Sequence, residues 1–281
     1  MAKPLNRKAS EVLLASVIIA RATSFLFLKL LLENMGQFTL LGIRSMIAFV
    51  VLVLIGFKTL KNTKKEDLFY GFLVGAAFFV VMFFELTGLK HTTSVSIAFE
   101  ENTAIIIVPI ILAIMTKKFP DKKTILMFFM CAIGIVLLNF KPEGFEFNIG
   151  DVYGMITALT YAGTIILTSK VGDKADPIRV GIYQVGTMGI LSLIAAFIFE
   201  TPALPSTGIE WTYMMYLAII CSVFGFTLQP YAQSGTTAER ASVLCALNPI
   251  TVAILGAVFL GETLTAKGII GAVLIIASII I

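Results

Sequence analysis

Charge is what this sequence has least of. Asp, Glu, Lys and Arg make up 14% of its 281 residues, where a soluble domain carries roughly 25%. Apolar residues make up 58%, and the mean hydropathy is +0.97. A coat of 21 basic and 17 acidic side chains cannot cover a soluble fold of 30.5 kDa, so that class is excluded. Disorder is excluded too, because it needs low hydrophobicity and high net charge. Histidine is almost missing, and His91 alone cannot build a His-based metal site; no metal or cofactor is expected. The three cysteines, Cys131, Cys221 and Cys245, lie in apolar stretches, and an odd count there argues against a disulfide framework. No phosphate loop is present: from Gly261 to Lys267 the length is similar, but Ala266 stands where glycine is required. The net charge of +4 is no nucleic-acid signal, since the lysines sit in short runs between apolar blocks.

Those blocks are what the chain does have. A helix needs about 20 apolar residues to cross the hydrocarbon core. Barrel strands would alternate apolar and polar residues instead. Ten runs fit helices, at roughly 11–32, 37–57, 68–89, 93–115, 123–140, 150–170, 177–199, 210–231, 238–260 and 265–281. The expected fold is an all-α integral membrane protein with short connections and no soluble domain. Lys3, Arg7 and Lys8 precede the first run, and Ala20-Arg21-Ala22 loosely resembles a cleavage site. With nine further runs behind it, the first reads as a transmembrane helix, not a removed signal.

Basic residues orient the helices. With the N-terminus inside, the inner segments hold Lys3, Arg7, Lys8, Lys58, Lys61, Lys64, Lys65, Lys117, Lys118, Lys122, Lys123, Lys170, Lys174, Arg179 and Arg240. The outer segments hold Lys90, Lys141 and Lys267, alongside Glu143, Glu146, Asp151, Glu200 and Glu210. This predicts a multi-pass protein of the cell membrane with both termini cytoplasmic.

The two halves resemble each other. Residues 89–94 (Leu-Lys-His-Thr-Thr-Ser) align with 233–238 (Gln-Ser-Gly-Thr-Thr-Ala) at an offset of 144, and Glu11-Val12 aligns with Asp151-Val152 at 140. Each half, 1–140 and 141–281, holds five helices. An odd number inverts the second copy in the membrane, an architecture of secondary transporters with the substrate site near the midplane. Pro109 and Pro249 interrupt the fourth helix of each half; such kinks are either tolerated or hinges for alternating access.

Arg21, Arg44, Glu85, Glu100 and Glu101 fall inside predicted spans, with Lys29 a sixth candidate. Each costs roughly 2.5–3.5 kcal/mol at a helix centre on insertion scales, so they are expected to face one another or a cavity. The second half carries neutral polar groups at equivalent places: Tyr161 for Arg21, Gln184 for Arg44 and Gln229 for Glu85. Thr157, Thr160, Tyr161, Thr164 and Thr168 form one polar helix face, which suits a pathway or helix packing. Asn248, with Ser242 and Cys245, marks the ninth helix. Adjacent residues point about 100° apart. Glu100, on a face with Ser96 and Thr103, is expected to line the cavity, and Glu101 to turn to a neighbouring helix and pair with an Arg. Either carboxylate is a candidate for binding and releasing a coupling proton; the alternative is that the pair simply neutralises Arg21 and Arg44. Arg44 is also placed to snorkel to the outer interface. The G-x-x-x-G spacings at Gly71/Gly75 and Gly150/Gly154 speak to close packing.

At this point the chain resembles the EamA family of the drug/metabolite transporter superfamily, over nearly its whole length. The carriers are Thr39-Leu40-Leu41-Gly42-Ile43-Arg44, the stretch 89–94, the stretch 236–242 (Thr-Thr-Ala-Glu-Arg-Ala-Ser), Asn248-Pro249, and above all 261–265 (Gly-Glu-Thr-Leu-Thr). The chain departs from the family at Arg21-Ala22, where an aromatic-Gly pair is common, at Lys117-Lys118, and at Glu100-Glu101. The resemblance implies ten helices, cytoplasmic termini and export of small metabolites or drugs. The resulting expectation is a secondary transporter, not an enzyme, for small polar metabolites such as amino acids. Its Arg residues would receive a carboxylate, and its Glu residues an amine or a proton. The alternative is proton-coupled efflux of cationic compounds through Glu85, Glu100 and Glu101; a membrane enzyme or sensor lacks supporting motifs.

Overall fold

The computed structural model describes residues 5–138, 148–259 and 266–281. Lys3, Lys141, Glu143, Glu146 and the stretch 261–265 lie outside the described residues. The described residues fold into ten helical spans: α1 (Arg7–Leu32), α2 (Gln37–Leu60), α3 (Lys65–His91), α4 (Ser94–Thr116), α5 (Lys122–Leu138), α6 (Ile149–Asp173), α7 (Pro177–Phe199), α8 (Gly208–Gln233), α9 (Ala238–Phe259) and α10 (Ala266–Ile280). Most agree with the apolar runs to within a turn, because the punctuation between them is local. Asn6 caps α1 by accepting from Ala9 N at 2.8 Å. Asn148 and Asp151 form a capping box at α6, as do Thr207 and Glu210 at α8. Asp176 caps α7 with Pro177 in its first turn.

Five helices precede the stretch 139–147 and five follow it, and the two sets pack on each other. α7 packs along α2 and α3, α6 along α3 and α4, and α5 along α10. Close approach of α3 to α7 needs glycine: an added Cβ at Gly75 would lie 2.6 Å from the Gln184 carbonyl, and one at Gly71 would strike Tyr183. The start of α1 and the end of α10 lie on one face, where Arg240 of α9 bonds both Glu11 of α1 and the Ile279 carbonyl of α10. On that terminal face Arg179 also bonds Asp67 at 2.6 Å. On the opposite face Glu200 accepts from the N–H groups of Phe38 and Thr39 at the start of α2.

Several spans are discontinuous near mid-depth. α1 is interrupted at Thr23, α4 at Thr103 and α9 at Cys245 and Ala246. Thr103 and Leu247, the first residue after the α9 break, are 144 apart, so the two breaks are equivalent. Each precedes its proline, Pro109 or Pro249, by one to two turns. α8 is wound as a π-helix over Leu217–Phe226. Pro230, one turn on, has no N–H for the Phe226 carbonyl, and Gln184 Nε2 of α7 bonds that oxygen at 2.9 Å instead.

Candidate functional site

The breaks surround a buried chamber lined by Arg21, Arg44, Glu85, Glu101, Tyr161 and Asn248, with Ser24, Phe25, Phe226 and Cys245 among its walls. α1, α2, α3 and α4 bring the charges, and α6, α8 and α9 bring neutral polar and aromatic groups. Arg21 Nη1 donates to Gln229 Oε1 at 2.7 Å and to the Tyr161 hydroxyl at 3.2 Å. Its guanidinium lies 4.3 Å from the centre of the Phe226 ring. Arg44 reaches the same ring at 5.5 Å, so one aromatic serves two cations. Arg44 is 1% exposed; it lines the chamber and does not snorkel. Its Nε and Nη1, Gln229 Nε2 and Asn248 Oδ1 have no hydrogen-bond partner among the described residues. Glu101 Oε2 accepts from Asn248 Nδ2 at 3.1 Å. The void between these groups would hold about one or two water molecules.

Several sequence expectations are placed differently. Glu101 is expected to pair with an Arg; instead the hydrogen bonds of Arg21 go to neutral groups, and Glu85 and Glu101 line the same chamber without bonding it. The two adjacent glutamates exchange roles: Glu101 faces the chamber, and Glu100 lies on α6 over Gly154. Neither Ser96 nor Thr103 marks a cavity face. The Ser96 hydroxyl is taken up at the helix start by Thr93, and the Thr103 hydroxyl by the Glu100 carbonyl. Three threonines of the α6 face are satisfied within their own helix: Thr157 donates to the Tyr153 carbonyl, Thr160 to Ile156 and Thr157, and Thr164 to Thr160, while the buried Thr168 hydroxyl has no partner among the described residues and does not line the chamber. Only Tyr161 of that face lines the chamber. Gln184, the counterpart of Arg44, is spent on the Phe226 carbonyl and is not among the lining residues. Phe226 carries little signal in the sequence, because an aromatic in an apolar run looks like any lipid-facing residue; Pro230, one turn later, is the feature that marks it.

On the opposite-face side of Phe25 is a second cavity, lined by Lys29, Thr92, Thr93, Ser94, Val252 and Gly256 among others. Lys29 donates there to the Leu89 and Thr92 carbonyls, at 2.5 and 2.9 Å. Phe25 borders both cavities. Among the described residues no group of three or more His, Cys, Asp or Glu is placed to hold a metal ion.

Comparison with known proteins bears on this arrangement. The EamA-like transporter family matches residues 9–140 and again 148–281. A protein of Archaeoglobus fulgidus named "Uncharacterized transporter" is 27% identical over 286 residues, covering 100% of this chain and 87% of its own. The "Uncharacterized transporter YetK" of Bacillus subtilis is 23% identical, covering 98% and 87%. A solved crystal structure superposes with a TM-score of 0.79 at 16% identity, covering 98% of this chain and 96% of that one; it supports the fold.

Proposed function

The chain belongs to the EamA-like transporter family, a multi-pass membrane protein, and on that premise we propose that it exports small amphoteric metabolites, amino acids or their relatives, by alternating access. One observation supports this above others. Among the described residues, the chamber lining holds buried donors without partners on Arg44 and a buried acceptor without a partner on Asn248. Gln229, which accepts from Arg21 but is not itself a lining residue, has a further buried donor without a partner among the described residues. A buried polar group left unpaired costs about 1–3 kcal/mol. A substrate carboxylate would take the guanidinium donors, for which its two oxygens are matched. An amine would sit among Asn248, Glu85 and Glu101.

Alternating access fits the breaks in α1, α4 and α9, which allow each half-helix to move while the chamber stays. The two halves, 1–140 and 141–281, act as inverted repeats in this reading. The distribution of basic residues supports placing the terminal face on the cytoplasmic side of the cell membrane. A reporter active only in the cytoplasm should signal when fused after Lys65 and stay silent after Glu210.

The test is uptake into liposomes holding the purified protein, against a panel of amino acids and of amines lacking a carboxylate, with and without a pH gradient. Amino-acid uptake that the amines do not compete supports this reading. Uptake of amines alone overturns it in favour of proton-coupled efflux of cations, which rests on Glu85 and Glu101.

A further inference from the structure

α5 packs along α10 and α9, and the half of α4 beyond its break packs on α6 and α9. Between these two helices, toward the terminal face, lies a groove of about 640 Å³. Ile106, Ile110 and Ile114, one turn apart on α4, form one wall, and Ile125 and Phe129 of α5 form the other; all five are exposed. Pro109 and Phe128 line it too and are buried. The groove is apolar along its length and ends at Lys117 and Lys118, which line it where the two helices connect.

Its depth matches a leaflet. From Ile106 to Lys117 an α-helix rises about 16 Å, and half of the hydrocarbon core is roughly 15 Å. Its rim is cationic. Lys122 and Lys123 open α5, so four lysines fall within 117–123, with Asp121 the one acid among them. Asp121 Oδ1 is engaged in accepting from Thr124 N at 3.0 Å.

The backbone singles out the first of these lysines. Lys117 ends α4 in the left-handed region, at φ 53° and ψ 29°. Among the described residues no other non-glycine residue has a positive φ. Glycine takes this conformation at a helix end without steric cost, and a side chain does not. At the offset of 144 the position of Lys117 is held by Gly261, and that of Lys118 by Glu262. The first half thus keeps a strained cation where the second has the residue suited to the turn, and strain of this kind collects at functional sites.

A basic cluster alone does not make such a site. Lys58, Lys61, Lys64 and Lys65, between α2 and α3, are also exposed, but none of them lines this groove or either cavity described above.

We propose that the groove binds one anionic phospholipid from the leaflet at the terminal face. An acyl chain lies along Ile106, Ile110 and Ile114, and the phosphate sits against Lys117 and Lys118. Lysine holds phosphate as a point charge, and a net negative headgroup answers a rim with three positive charges in excess. A second copy of the chain is a poorer occupant, because a two-fold interface here would bring one lysine cluster against the other. Lipid binding does not depend on which solute the chamber takes.

The full chain, purified in detergent, is offered equal amounts of phosphatidylglycerol and phosphatidylcholine with the same acyl chains, and retained lipid is counted by native mass spectrometry. One phosphatidylglycerol per chain should be retained, roughly tenfold or more over phosphatidylcholine for two lysines at the headgroup. Lys117→Gly with Lys118→Gln should abolish the preference. Lys117→Gly alone should weaken retention while raising the melting temperature in lipid-free detergent. Lys58→Gln with Lys65→Gln removes the same charge and should change nothing. Ala113→Trp fills the groove with every lysine intact and should lose the lipid; Ala132→Trp fills it from α5 if the first variant does not fold. Excess glycerol phosphate should not displace the lipid. Equal retention of the two lipids, retention unchanged by the Lys117 and Lys118 changes, or equal loss in the Lys58 and Lys65 variant overturns the proposal. So does displacement by glycerol phosphate, which would mark a site for soluble anions. A dimer that Ala113→Trp dissociates overturns it as well, in favour of an interface between copies.

Discussion

Arg21 hydrogen-bonds its own counterpart. The Tyr161 hydroxyl, 3.2 Å from Arg21 Nη1, stands 140 positions on, at the equivalent place in the second half. The second acceptor of Arg21, Gln229, is the counterpart of Glu85. The chamber is thus built where the first five helices meet the last five. The first five helices bring the charged groups and the last five the neutral acceptors, so the buried Arg21 guanidinium is hydrogen-bonded without a direct ion pair.

Removing one of those acceptors tests the arrangement. Tyr161→Phe keeps the ring beside Phe78 and deletes the hydroxyl. A hydrogen bond to a charged group contributes about 1.5–3 kcal/mol. If Arg21 must be held to receive substrate, initial transport rates should fall roughly ten- to a hundredfold, with the yield of folded protein little changed. Unchanged rates would mean that Gln229 alone positions Arg21.

Arg44 offers a different contrast. Its planar guanidinium lies near the Phe226 ring with two nitrogens unbonded. A lysine keeps the charge but cannot present a fork or stack. Arg44→Lys should therefore preserve folding and raise the KM for carboxylate-bearing compounds, roughly tenfold for about 1.4 kcal/mol of lost binding. Amines without a carboxylate should compete no worse than before. Equal losses for both classes would place the carboxylate elsewhere in the chamber.

The third prediction concerns Gln184 and Pro230. Gln184→Leu leaves the Phe226 carbonyl without a partner in a buried site, at a cost of about 1–3 kcal/mol. Pro230→Ala supplies the missing helical N–H. The double variant should therefore recover thermal stability in detergent relative to Gln184→Leu alone. If the two losses simply add, the glutamine is not compensating for the proline.

Much of the frame was legible because its signals are local. Asn148, Asp176 and Thr207 punctuate the apolar runs, and the repeat of Thr92-Thr93 as Thr236-Thr237 placed the equivalent helix starts. The chamber was legible only as a set of charges that cannot face lipid. Which of Glu100 and Glu101 enters it depends on how α4 sits between α6 and α9, which helical phase alone does not specify. The threonines of α6 looked like a pathway, but a hydroxyl in a helix can bond the carbonyl one turn back, and Thr157, Thr160 and Thr164 do. Gln184 looked like a cavity group because its counterpart Arg44 is one; the proline in α8 diverts it.

The last prediction concerns the terminal face. Glu11 and Arg240 join α1 to α9, and Arg240 also holds the Ile279 carbonyl near the end of α10. Their side chains are 18% and 15% exposed, so water screens the pair only in part. Losing one partner of a well-buried pair costs about 3–5 kcal/mol, and of an exposed pair about 1 kcal/mol or less; this pair should fall between. Glu11→Gln and Arg240→Gln should each lower the melting temperature, Arg240→Gln more, because it also abandons Ile279. They should also make a cysteine placed at Gln233, buried beside this pair, react faster with thiol reagents. The exchange Glu11→Arg with Arg240→Glu restores the charge pair but not the bond to Ile279. It should recover slow labelling and only part of the stability. If labelling at Gln233 is indifferent to all of these changes, the ion pair staples the helices without closing the face.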